Sequence, residues 1–265
     1  MELTGKHAVI TGTSRGIGRA LAIELAKSGC GLILTAFEEE ELKLLSDELR
    51  KYPVSVAAMH ADLSDAVSRK NLIEWILGLE APPDILINNA GIGGIFGRFE
   101  DVEIRSLEAV IAINVAAFVH ITHELIPVLK KRPRAKIVNI SSGISRFPYP
   151  GLAVYGATKG FISSFSESMA CELAGTNVSV LCFHPGFAMT HFIESSKMDM
   201  GKIPRWMIHT PQEIASRVLL AIREDRQWDY SDLMTRLFAW LGANIPSRMK
   251  TRIFKNLFWR VPYAK

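Results

Sequence analysis

A chain of 265 residues, 48% hydrophobic and 22% charged, can bury a sizeable core, which excludes the disordered and low-complexity classes. Its three cysteines, Cys30, Cys171 and Cys182, have neither metal-ligand nor disulfide-like spacing, so reduced, buried thiols and a cytoplasmic setting are expected. The net charge of +4 is uneven: residues 233–265 carry seven Lys or Arg and no acid, leaving −3 on the first 232. Neither a leader segment nor an apolar run of membrane-spanning length is expected.

In chain order, His7–Thr11 is a short apolar run and predicts the first strand. A glycine-rich turn, Thr11-Gly12-Thr13-Ser14-Arg15-Gly16-Ile17-Gly18, leads into a helical period over Gly16–Ser28 marked by Ile17, Leu21 and Leu25. Further strands are predicted at Gly31–Ala36, Val54–His60, Asp84–Asn88, Ala135–Ile140 and Val178–Phe183. Helices are predicted between them at about Glu38–Lys51, Ser64–Leu79, Val102–Lys131 and Leu152–Ala174. Ser64 reads as an N-cap, and Leu42, Leu45 and Leu49 form a buried stripe. Another helix starts near Pro211, and Gln227–Tyr230 can supply a short strand.

Strand alternating with helix predicts a single-domain α/β fold, a doubly wound parallel sheet covered on both faces. Ligands of such sheets lie at the carboxyl ends of the strands, where strand order reverses. The glycine turn follows strand one, Asp62 strand three, Asn88-Asn89-Ala90-Gly91 strand four, Ser142 strand five and Pro185-Gly186 strand six. Glycines 12, 16 and 18 let main-chain N–H groups approach a pyrophosphate, and the helix N-terminus adds partial positive charge.

Tyr155 and Lys159, four apart on a predicted helix, share one face. A free phenol ionises near pH ~10. An ammonium ~4 Å away contributes roughly 4 kcal/mol at an effective dielectric of ~20, which is expected to bring the phenol toward neutrality. Ser142 lies thirteen residues upstream of the tyrosine. His120 and His123 share an apolar helix face and read as packing residues. His184 reads as structural or as a neighbour of a bound ring.

Over residues 5 to about 225 the chain resembles a short-chain dehydrogenase/reductase of the shorter single-domain subclass, with its Thr-Gly-x-x-x-Gly-x-Gly and Tyr-x-x-x-Lys motifs. The resemblance implies a Rossmann-type, three-layer α/β/α fold and hydride transfer between a nicotinamide dinucleotide and a carbonyl or secondary alcohol. It implies that Asn114, Ser142, Tyr155 and Lys159 are the catalytic set. Tyr155 would pass a proton, Ser142 would hold the substrate oxygen, and Lys159 would tune the phenol and hold the nicotinamide ribose. Asn114 would hold a helix kink and a relay water. Gly12, Ser14, Arg15, Gly16, Ile17 and Gly18 would cradle the phosphates and adenosine ribose. Asp62 and Leu63 would contact the adenine, Asn89, Ala90 and Gly91 the ribose side, and Pro185, Gly186, Phe187 and Thr190 the carboxamide.

Strand two ends Leu34-Thr35-Ala36-Phe37 with no acid at 35–37, and Arg15 can pair with a 2′-phosphate. NADP(H) is therefore favoured over NAD(H). The run Glu38–Glu41 is expected to face solvent in the first turn of a helix, although it would repel a phosphate if it faced inward.

Two parts are expected: a catalytic domain over 1–232, with a substrate loop at about 191–210, and a basic, aromatic-rich extension over 233–265. The loop holds Phe192, Ile193, Met198, Met200, Ile203, Trp206 and Met207, and Phe147-Pro148-Tyr149-Pro150 adds an apolar wall. Such side chains suit a lipophilic ketone or 3-oxoacyl-type substrate, though an ordinary packed lid explains them too. From Arg248 to Arg260 the pattern is a basic amphipathic helix. Packing on its own domain or a twin subunit, covering the cleft, and lying on a membrane are the open readings. Nucleic acid is not expected, because no recognition motif accompanies the charge. The family's tetramer-building Gly-Gly terminus is missing, so a dimer through the two long helices is expected instead. The alternatives are an NAD-linked, hydroxysteroid-like alcohol dehydrogenase, or a dinucleotide-binding sensor without catalysis.

Overall fold

The computed structural model describes residues 1–189, 205 and 208–258, with 254–258 as backbone only. Six alternations build the sheet: β1 (His7–Thr11), α1 (Gly16–Lys27), β2 (Gly31–Ala36), α2 (Glu39–Leu49), β3 (Val56–His60) and α3 (Ala66–Leu77) come first. β4 (Ile85–Asn88), α4 (Ile104–Ile111), a π-helical segment (Ala112–Ala117), α5 (Phe118–Leu129) and β5 (Ala135–Ile140) follow. The chain continues through a 3₁₀ turn (Gly143–Arg146), α6 (Ala153–Glu172), β6 (Val178–His184) and the short strands β7 (Phe187–Ala188) and β8 (Ile208–His209). It closes with α7 (Pro211–Arg223), β9 (Trp228–Tyr230), α8 (Leu233–Asn244) and α9 (Ser247–Phe258).

The sheet runs β3-β2-β1-β4-β5-β6-β9, and every pair in it is parallel. Because side chains alternate faces along a strand, each apolar strand feeds two cores. Ala8, Ile10, Ile85, Ile87, Val138 and Phe183 face one side, where Leu21, Leu25, Leu45, Val218 and Ile222 cover them. Val9, Leu86, Ile137 and Val180 face the other, under Leu72, Ile76, Ile121 and Leu125. Truncating one of the Leu or Ile side chains among these to Ala costs about 2–5 kcal/mol.

Three expectations change. Asp65, not Ser64, caps α3 by accepting from the Ser68 N–H at 2.7 Å, while Ser64 turns back to donate to Asp62. Cys171 is exposed, because α6 turns it outward; Cys30 and Cys182 are buried. His123 is also exposed, beside Glu124 at 2.8 Å, since α5 buries Ile121, Thr122 and Leu125 instead.

The long helix is not uniform. The π turn joins α4 and α5 into one run, Ile104–Leu129, that by length and composition alone could cross a membrane. Here one face packs inward, with Val110, Asn114, Phe118, Ile121 and Leu125 buried, while Ile104 and Ile111 are exposed. At the opposite edge Gln227–Tyr230 yields β9 from Trp228 onward, and Thr210 caps α7 in a reciprocal box with Glu213.

Candidate active site

The strand order reverses between β1 and β4, and a cleft of about 660 Å³ opens above it. One end is built by the glycine turn. Gly12 has φ +72°, and a Cβ there would stand 2.8 Å from Ala90 Cα; Gly18 packs directly on the Gly12 carbonyl. Only hydrogen at these positions lets the loops after β1 and β4 close on each other. Asn89 clamps the junction by donating to the Thr11 and Gly12 carbonyls, both at 2.9 Å. α1 starts without a side-chain cap and with no acid in its first turn, so its leading N–H groups are left for an anion. These features fit the pyrophosphate of a dinucleotide.

Gly12, Ser14, Arg15, Gly16, Ile17, Asp62, Leu63, Asn89, Ala90, Gly91, Pro185, Gly186 and Phe187 all line this one cleft. Gly18 lies beneath the turn rather than on its wall. Thr190 and the apolar side chains expected at 192–207 lie outside the described residues.

Glu38 departs from expectation. It is the N-cap residue of α2, and its carboxylate turns into the cleft, where it accepts from Ser14 Oγ at 2.7 Å and pairs with the Arg15 guanidinium. Those bonds hold its pKa below the ordinary carboxylate value in spite of partial burial. Arg15, expected to receive a phosphate, is thus already paired. Sequence reading missed Glu38 because an acidic first turn normally points outward. Its spacing, about 20 residues beyond the last glycine, was the available signal.

At the other end Tyr155 and Lys159 enter from α6, both nearly closed to solvent at 9% and 4% exposure. Ser142, extended just past β5, lines the same corner of the cleft and works against the rise in the phenol's pKa. Lys159 donates from Nζ to the Ile140 carbonyl at 2.9 Å and sits 5.8 Å from the Tyr155 ring centre. The expected lowering of the phenol is not found: burial raises it to about 12. Burial instead pulls the Lys159 ammonium down to about 8, so desolvation governs both groups. Asn114 sits in the π segment, fully buried. Its amide accepts from the Ile92 N–H at 2.9 Å and donates to the Ile92 carbonyl at 2.9 Å and to Thr158 Oγ1 at 3.0 Å. The amide is therefore committed to protein partners, tying the loop after β4 to α6. A Cβ on Gly91 would fall 3.2 Å from Asn114 Oδ1 and 3.4 Å from Lys159 Nζ, so glycine keeps that corner open.

His184 does not reach the cleft. As the last residue of β6 it is buried with Ser163 at 3.1 Å, stacks on Tyr230, and is driven by burial to about 3, a neutral packing imidazole. The apolar wall is only partly as expected: Phe147 and Tyr149 line the cleft with Ile144 and Leu152, whereas Pro148 and Pro150 do not. Asp232, Thr235 and Phe238 close the wall from the start of α8, so this part of the extension covers the cleft, one of the readings left open for it. Gly186 makes this possible, because a Cβ there would stand 2.5 Å from Thr235 Oγ1.

A family model described as short chain dehydrogenase matches residues 6–201. Sulfoacetaldehyde reductase 2 of Chromohalobacter salexigens is 36% identical over 185 residues, 69% of this chain and 73% of that protein. A short-chain dehydrogenase of Sphingobium yanoikuyae, solved with NADPH, superposes with a TM-score of 0.81 at 25% identity, covering 98% of both chains. A 7beta-hydroxysteroid dehydrogenase superposes at 0.82 with 26% identity, over 96% of this chain and 99% of that one. The chain belongs to the short-chain dehydrogenase/reductase family. It is an NAD(P)-dependent oxidoreductase on a Rossmann-type fold.

Proposed function

We propose that the enzyme interconverts a lipophilic ketone, or a 3-oxoacyl-type carbonyl, and the matching secondary alcohol. The observation that carries this reading is that Ser142 and Tyr155 line one cleft together, where the glycine cradle meets an apolar wall of Phe147, Tyr149, Leu152 and Phe238. A bound nicotinamide dinucleotide would supply or accept the hydride. Tyr155 would hold the proton for the substrate oxygen, with Ser142 as a second donor to the charge that develops there. Asn114 would act as a positioning residue, fixing the Ile92 loop against α6. A sulfonate such as the Chromohalobacter relative's substrate carries has little to meet here. The cationic lining residues among those described are Arg15, paired with Glu38, and Lys159, turned to Ile140.

For the cofactor, Glu38 favours NAD(H), in place of the NADP(H) expected from residues 35–37. A carboxylate at the adenosine end accepts from a free ribose 2′-hydroxyl and repels a 2′-phosphate. The NADPH bound by the Sphingobium protein is a property of that protein. A dimer through the exposed Ile104 and Ile111 side chains and a cytoplasmic setting complete the proposal. Sedimentation of an Ile104→Glu variant tests the first, and cell fractionation the second.

The deciding experiment is a cofactor-consumption screen with NADH and NADPH over aldehydes, aliphatic ketones, steroids and acyl thioesters. Turnover confined to small polyols, sugars or charged aldehydes would remove the substrate proposal. A kcat/KM higher with NADPH would remove the cofactor proposal. Glu38→Arg is expected to move that ratio toward NADPH by roughly tenfold or more, about the worth of one charge-assisted contact.

A further inference from the structure

The last two helices carry their apolar residues on the wrong side for packing. On α8, Ala239 and Gly242 are buried, and a Cβ on Gly242 would stand 2.6 Å from the Arg146 carbonyl, so that face is the one seated on the domain. The opposite face should then be polar. It presents Leu233, Leu237 and Trp240, at helical spacing and 80%, 46% and 60% exposed. α9 continues the pattern, with Met249 and Ile253 exposed at 53% and 42%. Around these sit Arg236, Arg248, Lys250 and Arg252, and the sequence has no acid from 233 to its end.

We propose that α8 and α9 dock on an anionic phospholipid bilayer, with Leu237, Trp240, Met249 and Ile253 entering the interface and the basic side chains lying among the headgroups. Charge decides between this and a second copy. A two-fold pairing of the face would set an acid-free basic patch against itself, which like charges oppose. A tryptophan among apolar side chains rimmed by Lys and Arg is the composition of an interfacial helix. The same helix lends Thr235 and Phe238 to the wall of the cleft, so docking would bring the substrate end to the lipid surface. That last consequence rests on the lipophilic-substrate reading; the docking itself does not.

The test is co-sedimentation of the full chain with phosphatidylcholine vesicles, with and without about a third phosphatidylserine. The protein is expected to pellet with the anionic vesicles only and to be released by high salt. Arg248→Glu/Lys250→Glu/Arg252→Glu should weaken partitioning by about a hundredfold. Leu237→Asn/Trp240→Gln should weaken it too, and both variants should keep turnover of a water-soluble ketone. No pelleting with anionic vesicles, or equal pelleting of the triple variant, would overturn the proposal. A dimer that Leu237→Asn/Trp240→Gln splits, without loss on vesicles, would hand this face to a second copy. Should the apolar variant misfold, the triple variant, altered only at exposed charges, still decides. Vesicle binding without any carbonyl reduction would sink the catalytic reading alone.

Discussion

Tyr155 and Lys159 hold each other less tightly than their spacing implies, and burial governs both. Tyr155→Phe is expected to remove at least 99% of turnover while leaving cofactor affinity within about twofold, because general acid–base steps are worth ~10²–10⁴ in rate. Rapid kinetics with a cofactor-fluorescence titration checks both halves. Lys159 has a pH signature. Its ammonium falls from an ordinary 10.5 to about 8 on folding. Between those values the unfolded chain holds the proton that the folded protein has released, so stability rises with pH. Below about 8 the cost of burying the charge is fully present, and above 10 the raised Tyr155 phenol opposes the gain. Melting curves of wild type and Lys159→Met from pH 7.5 to 9.5 should diverge in favour of wild type as pH rises; parallel curves would contradict the shift. The motif residues were legible as neighbours of one cleft, since glycine turns and the Tyr–Lys pair are local patterns. Sequence reading misjudged Glu38, whose direction depends on Ser14 and Arg15 from another loop, and the phenol, whose value depends on how deeply α6 is covered.

The six leading strands and their helices were legible as elements because each apolar run serves two cores, leaving nearly continuous hydrophobic stretches. What periodicity did not show was the π segment; the family resemblance alone implied a kink at Asn114. One wider turn at Ala112–Ala117 is set by Asn114 reaching the Ile92 backbone, a contact between distant parts of the chain. Asn114→Ala would remove both Ile92 bonds and leave the buried Thr158 hydroxyl without its Asn114 donor, at about 1–3 kcal/mol. Urea unfolding should show that loss, and turnover should fall with it, because the loop after β4 is no longer tied to α6. Retained turnover with lost stability would limit Asn114 to a structural part. Covering the cleft was one of several readings open for the extension; which residues of α8 do it was not legible, because the fit needs the missing side chains of Gly186 and Gly242, and neither glycine signals its neighbour.

Across the whole molecule the two ends of the strands do different work. Opposite the cleft, Asp84 is fully buried and receives Lys6, Arg132 and the His7 N–H. Nearby, Lys136 is buried at the start of β5 and meets Asp225 at 2.5 Å, with Ser179 and Arg134 completing the group. Asp225, at φ +55°, is held far below the ordinary carboxylate range by these bonds, which outweigh its own desolvation. A depressed carboxylate gives stability that is present above the unfolded value of 3.8 and is lost as pH falls through the folded one. Asp225→Ala should cost about 3 kcal/mol at neutral pH by stranding the Lys136 charge, and it should flatten the acid limb of the stability profile. Lys136→Met/Asp225→Ala should recover much of that loss, as denaturant titrations of the three variants would show. Such changes sit a full strand length from Ser142 and Tyr155, at the other end of β5. Hardening the protein at the far edge and retuning its selectivity at the near one should therefore combine as independent gains, free of the usual exchange between robustness and activity.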